Sequence, residues 1–198
     1  MGKKADKTKA FFEEQNWLTG QMLVAMPSMI DPRFEKTVVL ICSHGPEGAM
    51  GIVVNRLFGD LDFGGLLNQF GIELPPNAPE HLVYYGGPVE PVRGFVLHSS
   101  DYDSEATTRI SPTLHLTATV EILRALTEGA GPERSLLVLG YAGWSAGQLE
   151  AEIQGNGWLT APADLTILFD ADIESKWRLA LSSIGVSPTM LSSDVGHA

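Results

Sequence analysis

Short apolar runs separated by turn-forming residues dominate the hydrophobic pattern of the chain. Runs rich in Val, Ile and Leu and bounded by Gly, Pro or Asp are typical of strands, and an unbroken apolar run indicates burial on both faces. Such runs predict strands at residues 21–25, 37–43, 50–55, 82–85, 94–98, 135–140 and 165–169. The second and third are separated by His-Gly-Pro-Glu-Gly at 44–48, which predicts a buried hairpin with a five-residue loop.

Apolar residues at helical spacing mark the other elements. They predict helices at 63–70, 149–153 and 173–184, and a further helix that Thr117 caps and that ends before Gly129. Because strands outnumber helices and several form hairpins, we expect one α+β (mixed α/β) domain, in which helices flank a mixed, strongly curved sheet. The domain is predicted to span residues 18–198, after a mobile tail and short helix at 1–17.

The charge of the chain limits its partners. Its 198 residues carry a formal net charge of −11, and the basic residues after the Lys-rich first ten are scattered. Such a body repels phosphate backbones and anionic lipids, which argues against direct nucleic-acid or membrane binding. No apolar run reaches the length of a membrane span, and the first residues lack the apolar core of a signal peptide. We therefore expect a cytoplasmic protein.

Gly143-Trp-Ser145-Ala-Gly147 is a literal G-x-S-x-G between a strand-like and a helix-like segment. One interpretation is a nucleophile elbow, which would make the protein a serine hydrolase acting through Ser145. That mechanism needs a histidine later in the chain, and the one that follows is the penultimate residue, His197. The other interpretation is a capping box, since Ser145 is followed three positions later by Gln148. We favour the cap and keep the hydrolase as the alternative.

Metal and cofactor chemistry finds little support in the sequence. Cys42 and His44 are predicted to share one face of a strand, but two ligands are too few for a metal site and a lone cysteine in an apolar run is usually core. Asp170 and Asp172 precede a helix and are predicted to be caps and not cation ligands. The glycine pairs lack the spacing of a phosphate-binding loop, so they predict tight turns or close backbone approach. We expect no metal and no cofactor.

Several motifs taken together resemble the YqgE/AlgH family. They are Gly-x-Met-Leu-Val-Ala-Met-Pro-Ser-Met at 20–29, Asp-Pro-x-Phe at 31–34, Gly-Ala-Met-Gly-Ile-Val-Val-Asn-Arg at 48–56, Gly-Gly-Pro-Val at 86–89, Arg-Gly-Phe-Val-Leu-His-Ser at 93–99, Gly-Tyr-Ala-Gly-Trp at 140–144, Gly-Gln-Leu-Glu at 147–150 and Gly-His-Ala at 196–198. The chain departs from the family pattern at Leu57, where proline is usual, and at Ser145-Ala146, where the pattern has Gly-Pro.

This resemblance implies a bacterial cytoplasmic protein whose bifurcated sheet folds into a pseudo-barrel. It implies no established enzyme activity, and the family carries a transcriptional-regulator label through a link to alginate regulation. Since family members can lack a serine at position 145, the resemblance also weakens the hydrolase alternative. It supplies no catalytic or binding residues.

The favoured functional hypothesis is a non-enzymatic regulatory or interaction module that binds a protein partner or a small ligand. The motifs are rich in glycine and tryptophan and poor in acid–base groups, which suits binding better than catalysis. If the motif turns converge, a groove is predicted with six lining residues: Asn55, Arg56, Gly87, His98, Trp144 and Gln148. The competing interpretation makes Trp144 a core residue and the glycines ordinary turns.

Overall fold

The computed structural model describes residues 17–191, apart from the side chains of residues 189 and 190. The predicted tail and short helix before residue 17, and His197, lie outside the described residues. The described strands are β1 (Gln21–Ala25), β2 (Val38–Gly45), β3 (Gly48–Val53), β4 (Val83–Tyr85), β5 (Val89–Ser99), β6 (Thr107–Arg109), β7 (Leu114–Thr117), β8 (Ser135–Ser145) and β9 (Trp158–Pro162). The described helices are α1 (Phe63–Gln69), α2 (Val120–Thr127), α3 (Gln148–Gln154), a π-helix (Thr166–Asp170), α4 (Ile173–Ser183) and α5 (Pro188–Leu191).

One curved sheet contains all of these strands. Its order is β6-β7-β5-β8-β3-β2-β1-β9, and β4 lies beside β8. The pair β4–β8 is parallel and the other pairs are antiparallel, so the sheet is mixed, as predicted. The long strand β8 joins two halves of the sheet, because its first part pairs with β5 and its last four residues pair with β3. This curled half-barrel in a single α+β domain confirms the predicted fold class.

Burial on both faces explains the unbroken apolar runs. In β1, Met22 and Val24 face the interior of the curved sheet, whereas Leu23 and Ala25 face a second core on its outer side. The strand β2 alternates in the same way. Helix α4 closes the interior with Ala180 and Leu181, while α1 and α2 cover a third core beside β5 and β8. None of the helices in residues 17–191 combines the length and the apolarity that a membrane crossing requires.

Several predicted elements are wrong in detail. Gly45 pairs with Gly48, so the hairpin loop is shorter than the five residues predicted. The region predicted as a strand at 165–169 is the π-helix, and the Asp164 carboxylate accepts N–H bonds from Thr166 and Ile167 at its start. Strands β6, β7 and β9 were not predicted.

Thr117 does not cap a helix. It ends strand β7, and Thr119 occupies the N-cap position of α2. The Thr117 hydroxyl is buried and hydrogen-bonded to His98 and Thr107, so it is not available to the helix. A buried polar network therefore overrides the local capping preference of threonine.

Candidate binding groove

A groove of about 450 Å³ lies on the outer side of the sheet, between the loop at 29–34 and helix α3. Its floor contains Trp144 at the end of β8 and Trp158 at the start of β9, and its walls include Phe34, Gln148 and Glu152. We call it the aromatic groove. The rings of Trp144 and Trp158 meet edge to face with centroids 6.1 Å apart, and Phe34 meets Trp158 in the same way at 5.6 Å.

The Glu152 carboxylate is the centre of the polar contacts in this groove. Both indole N–H groups, of Trp144 and Trp158, donate to Glu152 Oε2 over 2.8 Å. Gln148 Nε2 donates to Glu152 Oε1 over 2.9 Å, as expected for residues four apart on one helix face. The two indoles are almost fully buried, at 7% and 2% exposure. The carboxylate thus fixes the orientation of both rings and joins α3 to the two strands.

Segments from distant parts of the chain meet at this groove. They are Asp31 to Phe34, Pro88 and Val89, Gly143 and Trp144, and Gln148. Each belongs to a different one of the short motifs on which the resemblance to the YqgE/AlgH family rests. Convergence of separate motifs on one concave surface marks this groove as the candidate functional site.

Comparison with known proteins agrees with the motifs. A family model described as AlgH-like matches residues 22–189, which is most of the chain. This chain belongs to the YqgE/AlgH family. A UPF0301 protein from Rhodopseudomonas palustris (strain BisB18) is 52% identical, covering 98% of this chain and 96% of its own length. A UPF0301 protein from Rhodospirillum rubrum is 48% identical, over 94% of this chain and 97% of its own.

A solved structure supports the same assignment. The solution structure of the AlgH protein from Pseudomonas aeruginosa matches with a TM-score of 0.76 and 44% identity, over 92% of this chain and 97% of that chain. A crystal structure from Corynebacterium diphtheriae, at 24% identity and a TM-score of 0.65 over 83% of this chain and 85% of that chain, shares the fold. The YqgE/AlgH family is one of uncharacterised proteins, so membership leaves the activity open.

Ser145 is not the N-cap that the sequence predicts. It is the last residue of β8, where it pairs with Gly48, and Gly147 occupies the N-cap position of α3 with φ of 74°. The Ser145 N–H and hydroxyl both donate to Gln148 Oε1, at 3.0 and 3.1 Å. One half of a capping box is therefore present, the bond from the glutamine side chain back to the serine N–H. Sheet pairing keeps Ser145 extended, and the left-handed turn at Gly147 begins the helix instead.

Asn55 and Arg56 hold the loop that carries Phe34. The Asn55 side chain accepts from the Val38 N–H over 2.8 Å and donates to the Lys36 carbonyl over 2.9 Å. The Arg56 guanidinium donates to the backbone carbonyls of Pro32 and Glu35. Both side chains also line a second recess beside Leu57 and Tyr84. They support the groove wall rather than face the groove.

Gly87 and His98 do not line the aromatic groove, and their contacts are structural. Gly87 has φ of 149°, and a Cβ there would overlap the backbone of Tyr141, so the residue permits close approach to β8, as its motif predicts. His98 is fully buried, with Nδ1 bonded to the Ser99 carbonyl and Nε2 to the Thr117 hydroxyl. Burial lowers the pKa of His98. Of the six residues predicted for a groove, the structure brings Trp144 and Gln148 together in this one.

The Cys42 and His44 side chains lie on opposite sides of the sheet. A register shift between Ile41 and Ser43 interrupts the alternation that the prediction assumed. Cys42 lies in the interior core, where burial raises the pKa of its thiol to about 12. His44 Nδ1 accepts the Leu18 N–H, so Nε2 carries the proton and donates to Glu150 over 2.9 Å. Within residues 17–191 no cluster of three or more His, Cys, Asp or Glu side chains is placed to hold a metal ion.

Sequence reasoning missed Phe34, Glu152 and Trp158 as groove residues. The i,i+4 spacing from Gln148 to Glu152 was the available local signal, because it places both side chains on one face of α3. Nothing local links Trp158 to Trp144, since their contact depends on β9 returning to the sheet beside β1.

Proposed function

We propose that this protein is a non-enzymatic regulatory module that binds a protein partner or a small ligand in the aromatic groove. The observation that carries the proposal is the meeting of separate family motifs on one concave surface with an aromatic floor. Pockets with apolar walls and a few fixed polar groups are the usual form of ligand sites. The regulator label of the family is consistent with such binding.

The contacts of the polar groups support binding over catalysis. General acid–base catalysis needs a side chain free to exchange a proton with substrate, and nucleophilic catalysis needs an adjacent base. In the groove, Glu152 accepts from both indoles and from Gln148, and Gln148 accepts from Ser145. These groups position one another, and the described contacts of the Ser145 hydroxyl are with an amide and not with a histidine.

Regulation through a partner suits the charge of the molecule better than direct DNA binding. The chain carries a net charge of −11, and phosphate contacts require clustered basic side chains. Arg33 is the basic residue that lines the aromatic groove, and it is engaged by Asp31. A salt-dependent, submicromolar affinity for duplex DNA in a mobility-shift assay would contradict this part of the proposal.

The test is affinity capture from a bacterial lysate, with native mass spectrometry for small ligands. Gly143 lines the groove and is exposed, and a Cβ there makes only ordinary contacts with Tyr141 and Val89, so Gly143→Leu adds bulk at the groove edge beside Val89 without a backbone clash. Gly45→Leu is the matched control, because a Cβ at Gly45 meets nothing within 4 Å. We expect wild type and Gly45→Leu to retain the same partner or ligand and Gly143→Leu to lose it. Equal retention by all three, or no reproducible partner or ligand, would overturn the proposal.

A further inference from the structure

We infer that the aromatic groove takes an organic cation, an ammonium or guanidinium group carried by a small amine or by a Lys or Arg side chain of a partner. This inference rests on the proposed function, because it names the chemistry that the groove would recognise. Three observations lead to it: the unneutralised charge of Glu152, the self-neutralised pair of Asp31 and Arg33, and the aromatic walls.

The charge of Glu152 is not neutralised by a cationic side chain in residues 17–191. Its three described partners, two indoles and an amide, are neutral donors. A carboxylate offers about four lone-pair positions to donors. The two indoles occupy those of Oε2, and Gln148 occupies one of Oε1. One acceptor position on Oε1 therefore remains for a hydrogen-bond donor of a ligand, and the negative charge remains for a cation with or without an N–H.

The other two charged side chains of the groove compensate each other. Arg33 binds the Asp31 carboxylate through two nitrogens, with Nε 3.0 Å from Oδ1 and an Nη 2.6 Å from Oδ2. This fork-shaped contact is the geometry in which arginine and a carboxylate pair best. Because the pair carries no net charge, Glu152 leaves the groove negative. The net negative charge disfavours an anionic ligand in this groove.

The aromatic walls suit the same cation. The face of an aromatic ring attracts cations, and the attraction grows when water is excluded. The groove already shows the contact once, since the Arg33 guanidinium carbon lies 5.9 Å from the centre of the Phe34 ring. A ligand cation at the remaining position of Glu152 Oε1 would combine a charge contact with a contact to the partly exposed ring of Phe34 in the groove wall.

The first experiment compares two ligands that differ in charge and hardly in shape, choline and its uncharged carbon analogue 3,3-dimethyl-1-butanol. The readout is the indole N–H signals of ¹⁵N-labelled protein, assigned with Trp144→Phe and Trp158→Phe. We expect choline to shift both groove signals saturably and the neutral analogue to bind about tenfold more weakly. Trp177 is the internal control, because it packs against the interior core and does not line the groove. Equal binding of the two ligands would overturn the inference.

Further ligands separate the possible sources of the cation. Amide-blocked lysine and arginine represent a protein segment, and choline represents a small amine. Tighter binding of the blocked residues supports a partner side chain, and tighter binding of choline supports a small ligand. Acetate is the opposite-charge probe. If acetate shifts the groove signals and Arg33→Ala abolishes that shift, the site is an anion site and the inference is wrong.

Two variants test the charge itself. Glu152→Gln and Glu150→Gln remove one negative charge each from the same helix, but Glu150 faces His44 and does not line the groove. We expect Glu152→Gln to weaken choline binding about tenfold and Glu150→Gln to leave it within about twofold. Equal weakening by both would show general attraction to an acidic protein and would overturn the inference. If Glu152→Gln does not fold, the comparison of choline with its neutral analogue on wild type still decides.

Failure of this inference is distinguishable from failure of the proposed function. If the two ligands bind alike while Gly143→Leu still loses its captured partner, the cation assignment is wrong and the proposed function stands. If choline binds as expected but Gly143→Leu captures the same partner as wild type, the groove takes a cation and the proposed partner site is wrong.

Discussion

Glu152 and Lys176 are two charges that this protein holds without a salt bridge among the described residues, and their surroundings differ. Lys176 is fully buried under the sheet, where its Nζ donates to the carbonyls of Val54 at 3.0 Å and Leu168 at 2.6 Å and lies 5.3 Å from the centre of the Tyr84 ring. Glu152 is half-buried at the edge of a groove and is held by side-chain donors. A fully buried charge can only stabilise the packing of the elements around it, whereas a charge that lines a groove can also contact a ligand.

The two charges have different structural roles. The π-helix and α4 meet the end of β3 at Lys176, so the ammonium supplies hydrogen bonds to two carbonyls from separate elements. Glu152 instead orients two large rings across α3, β8 and β9. Isolated buried charges are costly unless they are hydrogen-bonded, which explains why both have several partners. The comparison predicts that changes at Lys176 act on stability alone, and changes at Glu152 on both stability and binding.

The largest effect is expected from Lys176→Ala. The change removes a buried four-carbon stem and leaves two carbonyls without their donor, so the free energy of unfolding should fall by about 3 kcal/mol. Lys176→Met is the matched control, since it keeps most of the volume and should lose less. Urea unfolding followed by circular dichroism measures both. A loss below about 1 kcal/mol for the alanine variant would contradict the view that Lys176 fastens the interior.

A smaller loss is expected from Trp158→Phe. The change keeps an aromatic ring and removes one of the two indole N–H bonds to the Glu152 carboxylate, so we expect a loss of about 2 kcal/mol. Trp177→Phe is the comparison variant, because it removes an indole bond to the neutral carbonyl of Ala25 and should cost about 1 kcal/mol. Thermal and urea unfolding measure both. If the two losses are equal, Glu152 does not strengthen its indole bonds.

The free energy of unfolding should depend on pH through the buried ammonium of Lys176. Burial lowers the pKa of Lys176 from 10.5 to about 8. Above pH 8 the unfolded chain keeps a proton that the folded protein releases, so the stabilising contribution of this residue rises with pH. Wild type should gain about 1 kcal/mol over Lys176→Met between pH 8 and 9. Urea unfolding of both proteins at each pH gives this difference. The titration of Cys42 contributes equally to both proteins and therefore cancels. A constant difference would contradict the lowered pKa.

Much of the fold could be predicted from the sequence, for reasons that particular residues make clear. The unbroken run of β2 needed burial on both faces, and the structure provides a core on each side of it. Helix α4 followed from apolar spacing alone. The short strands β6 and β7 could not be predicted, because their polar residues join a buried network around His98 and Thr117 that depends on tertiary contact. The π-helix could not be predicted for the same reason, because its Leu168 carbonyl accepts a hydrogen bond from Lys176, which lies in another element.

The candidate site was predictable only in part. Trp144 and Gln148 stand in recognisable motifs and do line the aromatic groove. Their common partner Glu152 and the second indole of Trp158 depend on how α3 and β9 return to the sheet. A motif can therefore identify a segment that matters, while the chemistry of the site is set by residues that meet it from elsewhere.

The smallest effect is expected from Ser145→Ala, which also tests the hydrolase interpretation of the G-x-S-x-G sequence. Gln148 Oε1 accepts from both the N–H and the hydroxyl of Ser145, and the alanine variant keeps the N–H bond. Because the lost bond is exposed, we expect a stability loss of about 0.5 kcal/mol, below the usual cost of removing an N-cap serine. A fluorophosphonate probe should label Ser145 no more than other surface serines, since activation requires a base and the hydroxyl is bonded to an amide. Labelling of wild type that disappears in Ser145→Ala would instead establish an activated serine and would put the hydrolase in place of the binding module.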